Sequence, residues 1–142
     1  MAGDFDFITF AEGLQRIRNA TGAGRGGGIV TSRDAGMNEL LEKLSVRLDN
    51  PGFKKWQLPV ALDGTGAQFF VTVASPGASV GEHSHDEGDG LRYIVAGSIE
   101  YNGQELNSGD WMFIPKGARY SMKVGPMGAS MFYCYQCSCV PR

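Results

Sequence analysis

The two histidines of the chain, His83 and His85, stand one residue apart in the stretch GEHSHDEGDG. In a β-strand, residues i and i+2 point to the same face, so two imidazoles at this spacing project together. Neutral imidazoles are ligands for divalent transition metals such as Fe²⁺, Zn²⁺, Ni²⁺ and Mn²⁺. The stretch therefore predicts half of a metal site, although two surface histidines in a polar loop have the same spacing. Four carboxylates surround the pair: Glu82, Asp86, Glu87 and Asp89.

The elements that would position this pair are strands. Five segments in the second half of the chain alternate apolar and polar residues with the period of two that is typical of strands. Glycine, proline, asparagine and serine separate them, and Asn102-Gly103 suits a tight hairpin turn. This succession of short strands and turns predicts an all-β sandwich or barrel. The predicted strands span residues 68–75, 91–103, 110–115, 120–125 and 129–137.

Two helices are predicted ahead of the strands, over residues 9–20 and 37–49, because apolar residues recur there at helical spacing. Between them, residues 22–27 match Gly-x-Gly-x-x-Gly. No strand precedes that match, so it is interpreted as a plain loop rather than a nucleotide site. We therefore expect a helical N-terminal arm with a Gly-rich loop over residues 1–52, followed by a β-domain over residues 53–142.

Composition limits the function classes. The 142 residues suit one compact domain. With 13 basic and 15 acidic residues, a net charge of −2 and no basic block, no nucleic-acid partner is expected. No apolar run is long enough to cross a membrane, and acidic residues stand where a signal peptide needs basic ones, so we expect a cytoplasmic protein with no membrane partner. Three cysteines, an odd number, fit a reducing compartment.

The segments GASVGEHSHDEGDGLRYIVAG and GDWMFIPKGARY resemble, in their spacing, the two sequence motifs of the cupin superfamily. The first motif runs from a glycine through five residues to His-x-His, then to a glutamate and a glycine. The second runs from Gly-Asp through Pro-x-Gly to a histidine. The resemblance covers about residues 60–135. It implies a mainly β fold, a cupin-type jelly-roll β-barrel preceded by a short helical N-terminal segment. Because small cupins commonly pair, it also implies a homodimer.

The resemblance further implies a metal set of three histidines and one glutamate, from which this chain departs. His83 and His85 stand at the first two positions, but Gly90 stands where the glutamate would be. Tyr120 stands where the third histidine would be. If position 90 faces the barrel interior, strand alternation brings in Arg92 as well. A guanidinium buried there would need an anionic partner.

Several arrangements would complete the site. Asp89 or Glu87 could supply a carboxylate, which would give a two-histidine, one-carboxylate centre with open positions, and Asp89 is the ligand that we expect. Tyr120 or Cys134 could ligate the metal instead. Without a metal, His83 would act as an acid or base near neutral pH, helped by Tyr120 and Arg92.

The residues and the resemblance together predict a small metalloprotein that acts as a dioxygenase or as an isomerase or lyase on a small, anionic organic substrate. Arg92 would orient the substrate, and Tyr120 or Glu87 would move a proton. Two alternatives stay open: a metal-free cupin that binds a small molecule without catalysis, and a metal-free acid/base enzyme that uses His83 and Tyr120. The three cysteines are interpreted as structural thiols: Cys134, Cys137 and Cys139.

Overall fold

The computed structural model describes residues 10–21, 28–61 and 67–137, and in those ranges the chain is mainly β. Two helices, α1 (Phe10–Thr21) and α2 (Met37–Lys43), come before eight strands. No helix in these ranges is long and apolar enough to span a membrane. The strands are β1 (Ser45–Val46), β2 (Phe53–Ala61), β3 (Gln68–Ala74), β4 (Ser79–His83), β5 (Gly88–Tyr101), β6 (Gln104–Asn107), β7 (Trp111–Ile114) and β8 (Tyr120–Cys137).

All eight strands join one antiparallel sheet in the order β1-β2-β3-β8-β5-β6, with β4 paired to β8 and β7 paired to β5. The longest strand, β8, pairs with β4 through its first half and with β3 through its second half. Strand β5 pairs with both halves of β8. The two long strands therefore curve the sheet around one interior, which confirms the predicted mainly β, jelly-roll architecture.

Three of the predicted strands are confirmed as β3, β5 and β7. The predicted hairpin is confirmed too, because Asn102 and Gly103 take φ values of 52° and 77° between β5 and β6. The division of residues 120–137 into two strands was wrong. Pairing with β5 continues across Gly125–Gly128 as a register shift between Gly97 and Ile99, so the turn-like residues form an irregularity inside one strand.

The N-terminal elements differ more from their prediction. Helix α1 begins and ends within one residue of the expected bounds. The second predicted helix, residues 37–49, ends at Lys43 instead, and Ser45–Val46 pairs with Lys55 and Trp56 of β2. This pairing buries Leu44 and Val46 alternately, as a strand does. Residues 22–27 lie outside the described residues, and the boundary between arm and β-domain at residue 52 stays a prediction.

The interior between the strands is one apolar cluster, which becomes polar towards the end where β4 stops. A smaller cluster lies under α2 and includes Met37, Leu40 and Leu44. The main cluster contains Val46, Phe53, Phe70, Ala74, Val80, Ile94, Ile99, Ile114, Tyr120, Met122, Val124, Ala129, Met131, Tyr133 and Tyr135.

Candidate functional site

The two histidines lie together inside the barrel, although only one is on a strand. His83 is the last residue of β4, and His85 follows in the next loop. Their ring centroids are 5.1 Å apart. Both residues are buried, with 6% of His83 and 1% of His85 exposed. His83 Nδ1 lies 2.9 Å from the carbonyl oxygen of Gly81. A carbonyl only accepts, so Nδ1 carries the proton and Nε2 of His83 carries the lone pair.

Tyr120 links His85 to Arg92. Its hydroxyl lies 3.0 Å from His85 Nε2 and accepts a hydrogen bond from Arg92 Nη2 at 3.3 Å. Because the guanidinium can only donate, the phenol proton is available for His85 Nε2 when that nitrogen is unprotonated. The register of β4 and β8 places Tyr120 directly opposite His83. The structure therefore brings four predicted site residues into one network of imidazole, phenol and guanidinium.

Arg92 is the member of this network whose burial costs the most free energy. Only 4% of the residue is exposed, and its guanidinium carbon lies 4.7 Å above the centroid of the Tyr133 ring. Nη1 donates to the sulfur of Met131 at 3.7 Å, and Nε has no hydrogen-bond partner among the described residues. Among the residues that the structure describes, no aspartate or glutamate is buried. A guanidinium without a counter-charge costs on the order of several kcal/mol to bury.

Gly90 faces the interior, as strand alternation predicts, and Tyr133 occupies the space beside it. A Cβ atom built on Gly90 would overlap the Tyr133 hydroxyl and would lie 2.6 Å from its Cζ. The place where the cupin resemblance expects a glutamate is therefore filled by the phenol of another strand. Tyr133 also lies 5.5 Å from the His85 ring, centroid to centroid.

Three further residues were expected as metal ligands, and they lie at different positions relative to the histidines. Asp89 is exposed on the opposite face of β5, where its carboxylate accepts from the backbone N–H of Lys116 at 2.8 Å. Glu87 is half buried, and its own N–H donates to the hydroxyl of Tyr135 at 3.2 Å, which places its backbone at the histidine end of the barrel. Cys134 follows Tyr133 on β8 and so faces away from the interior.

These positions decide how well the residues suit a metal. Within the described ranges, no three residues of the His, Cys, Asp and Glu types converge as a metal-binding group. Burial raises the pKa of the Cys134 thiol, and a thiol must lose its proton to ligate. The Tyr120 hydroxyl lies 3.0 Å from His85 Nε2 and already accepts from a guanidinium, whose charge opposes that of a dication. The two-histidine, one-carboxylate pattern is therefore incomplete in this part of the chain.

Two interior residues were missed from the sequence. Tyr133 was not predicted as a site residue, although Met131, Tyr133 and Tyr135 alternate along β8 at the spacing of an inward face. Lys55 lies on β2, which was not predicted because its inward positions include polar residues. Lys55 is 6% exposed, and its Nζ lies 4.5 Å from the centroid of the Phe70 ring. Both residues could have been identified from the alternation of inward and outward side chains along a strand, which has a period of two.

Comparison with known proteins supports the fold. No protein-family model and no curated protein matches the chain. Among solved structures, KdgF from Halomonas sp. is 19% identical with a TM-score of 0.54, over 68% of this chain and 86% of that one. An RmlC-like cupin from Shewanella frigidimarina is 19% identical with a TM-score of 0.54, over 69% and 87%. The polyketide cyclase RemF from Streptomyces resistomycificus is 21% identical with a TM-score of 0.54, over 66% and 73%. Together with the sheet topology, these similarities establish that this chain has the cupin fold.

Proposed function

We propose that the barrel binds a small organic anion, of which a carboxylate is the simplest case, through Arg92. The observation that carries this proposal is the buried guanidinium. Its Nε has no hydrogen-bond partner among the described residues, and no carboxylate among them is buried. A carboxylate accepts two parallel hydrogen bonds from a guanidinium and supplies the missing charge. An anion that enters the barrel would therefore remove most of the cost of burying Arg92.

We further propose that the bound anion undergoes proton transfer. The hydroxyl of Tyr120 lies between the guanidinium and His85 Nε2, at 3.3 Å and 3.0 Å. A carboxylate held on Arg92 would place its α-carbon close to Tyr120 and the histidines. His83 Nε2, which carries the lone pair, then takes a proton from that carbon. Tyr120 donates its phenol proton to the oxygen on which charge develops instead of to His85 Nε2. The reaction class is isomerisation, in which the proton returns to a neighbouring carbon, or elimination, in which a leaving group departs from the β-carbon with its electron pair, without a metal.

The same fold occurs in an enzyme, since RemF is described as a polyketide cyclase. That similarity supports an enzyme that acts on a small organic molecule. It does not name the reaction, because one fold carries many activities. The assignment of acid/base roles therefore depends on the side chains of this chain.

A metal-dependent reaction, of the dioxygenase or isomerase kind, is the second candidate. The hydrogen bond from His83 Nδ1 to the carbonyl of Gly81 favours it, because such a bond fixes the tautomer and leaves Nε2 as a donor atom. His83 and His85 would hold Fe²⁺, Zn²⁺, Ni²⁺ or Mn²⁺. The proton-transfer proposal is preferred because the described residues add no carboxylate to the pair.

The first prediction tests anion binding with acetate, malonate, benzoate and pyruvate as probes, by calorimetry and by urea unfolding. We expect at least one probe to bind the parent protein. At about 100 times its Kd, that probe should raise the free energy of unfolding by about 2.7 kcal/mol. Arg92→Met should lose the binding and should remain folded, since replacing a buried charge by an apolar side chain is often neutral or stabilising.

Arg119→Met is the matched control, because Arg119 is exposed and pairs only loosely with Glu82 at 3.6 Å. It should bind the probes as the parent does. If no probe binds the parent, or if Arg92→Met binds equally well, the anion proposal is wrong.

Catalysis is tested on the same proteins by NMR, as deuterium incorporation into pyruvate in D₂O. We expect Tyr120→Phe to slow the exchange by roughly 10²-fold or more, the usual contribution of a positioned acid, while binding is retained. Chelator treatment should leave exchange unchanged. Loss of exchange with the chelator and recovery with one metal ion would favour the second candidate instead. Binding without exchange would identify a non-catalytic binding protein.

A further inference from the structure

A hollow opens on the outer surface of the sheet, between β6, β5, β8 and the turn before β4. Its volume is about 470 Å³, within the range of about 300–1,000 Å³ that holds small ligands. Gly77 and Gly125 line it without side chains and are joined by a backbone hydrogen bond of 3.2 Å. The pairing of β5 with β8 shifts its register here, between Gly97 and Ile99, and such a bulge bends the strand. The hollow therefore results from glycines and a bend that leave room above the backbone.

Three charged side chains line the hollow in one row across three strands. The register places Glu105 of β6 directly opposite Glu100 of β5, and Glu100 directly opposite Lys123 of β8. All three are exposed, whereas their neighbours Ile99 and Val124 are buried in the core, so the row lies on the outer face. Among the described residues, none of the three forms an ion pair or a side-chain hydrogen bond. Because like charges directly opposite each other destabilise a sheet, the two glutamates favour a bound cation.

Ser98 adds a hydroxyl group on the lysine side of the hollow. The residue is only 8% exposed, yet its hydroxyl has no hydrogen-bond partner in the part of the chain that the structure describes. A Cβ atom built on Gly125 would overlap this hydroxyl, which therefore lies above β8 in the space that a side chain would fill. Lys123 is two residues before Gly125 on the same strand. The hollow thus has hydrogen-bond donors along β8 and carboxylates along β5 and β6.

We propose that this hollow binds a small zwitterion, an α-amino acid. Its ammonium group lies between the carboxylates of Glu100 and Glu105, and its carboxylate accepts from Nζ of Lys123 and from the Ser98 hydroxyl. Neighbouring strands are about 4.8 Å apart, so β8 and the centre of the glutamate pair are separated by about 7 Å. That span suits an ammonium and a carboxylate on one carbon atom, each with a charge-assisted hydrogen bond of about 2.8 Å.

The order of the charges distinguishes an amino acid from simpler ligands. A metal ion or a plain amine between the glutamates would also meet the like charge of Lys123. A plain carboxylate on Lys123 would meet the like charges of Glu100 and Glu105. A ligand that carries both charges pairs with all three side chains and with the hydroxyl. This site is on the outer face and does not depend on the proposal of an anion at Arg92.

The second prediction concerns amino-acid binding, measured by NMR as shifts of the backbone amide signals of Ser98 and Gly125. The probes are L-alanine, L-leucine and L-phenylalanine, each compared with the amine and the carboxylic acid that lack one of its charged groups. At least one amino acid should shift both signals, and its two analogues should bind at least about tenfold more weakly. Glu105→Gln and Lys123→Gln should each weaken binding by roughly tenfold or more, because each removes a hydrogen bond to a charged group.

Glu82→Gln and Lys54→Gln are the matched controls, because both residues are exposed on strands and neither lines the hollow. Both should bind the amino acid as the parent does. Ser98→Ala changes no charge and should also weaken binding. Since Glu105 and Lys123 are exposed, their variants should keep the far-UV circular dichroism of the parent. The proposal is overturned if no amino acid shifts the two signals, if an analogue binds equally well, or if the three hollow variants bind as the parent does.

Discussion

Tyr133 organises the interior of the barrel. Its ring lies 4.7 Å from the guanidinium carbon of Arg92, 5.7 Å from Nζ of Lys55 and 5.5 Å from the His85 ring. The face of an aromatic ring attracts cations, so one side chain stabilises two buried positive charges. The same ring occupies the position beside Gly90. At the scale of the residue, a phenol therefore takes the space in which a carboxylate ligand is expected.

The third prediction concerns Gly90. Gly90→Ala should lower the free energy of unfolding by about 1–3 kcal/mol, because the added Cβ overlaps the Tyr133 ring. Urea unfolding measures the change. Gly81→Ala is the matched control, since a Cβ on Gly81 meets no atom within 4 Å.

Shortening the obstructing side chain tests the cause. In the double variant with Tyr133→Leu, Gly90→Ala should cost less than it does alone, so the two changes should not be additive. If their effects simply add, the overlap with Tyr133 is not the reason for a glycine at this position.

At the scale of the element, α1 is held against the barrel by polar contacts. The Gln57 amide donates to the carbonyl of Gly13 at 3.0 Å and to Oε1 of Gln68 at 2.9 Å. Arg16 donates to the carbonyl of Ser45 at 2.6 Å. Gln57 and Gln68 are 0% and 2% exposed, so the helix covers this end of the interior.

The fourth prediction separates helix propensity from packing at Gly13. In an isolated helix, glycine to alanine stabilises by about 1 kcal/mol. Here a Cβ on Gly13 would lie 2.9 Å from Cδ of Gln68, and the buried amide cannot swing away without breaking its bond to Gln57. We therefore expect Gly13→Ala to lower the free energy of unfolding. The control is Arg18→Ala on the exposed side of α1, which should change it by less than about 0.5 kcal/mol. A stabilised Gly13→Ala would mean that α1 does not pack here.

At the scale of the whole molecule, the two proposals use opposite faces of one sheet. Arg92 is buried in the interior, whereas Glu100 on the same strand is exposed on the outer face. Binding of the small anion and binding of the amino acid should therefore be independent of each other.

The fifth prediction follows from this separation. Arg92→Met should bind the amino acid with a Kd within about twofold of the parent, measured through the amide signals of Ser98 and Gly125. Glu105→Gln should bind the anionic probe as the parent does, measured by calorimetry. Loss of binding in either case would instead show that the two sites are coupled through the sheet.

The local features of the chain could be predicted from sequence because they depend on neighbours along it. The alternation of apolar and polar residues predicted β3, β5 and β7, and Asn102-Gly103 predicted a hairpin turn. The spacing of the two motifs, the first of which contains His83 and His85, indicated the cupin fold. Inward alternation also placed Gly90, Arg92 and Tyr120 in one interior.

Only the tertiary structure decided which residues meet from distant strands. The sequence left several third ligands open, and the register of β8 pairs Tyr133 with Arg92, so that the Tyr133 ring rather than a carboxylate fills the space beside Gly90. The predicted helix over residues 37–49 ends at Lys43, and Ser45–Val46 forms strand β1 instead. Pairing with β2 provides hydrogen-bond partners for its backbone and buries Leu44 and Val46. Both outcomes depend on cross-strand contacts that no local pattern encodes, and those contacts determine what the two histidines face.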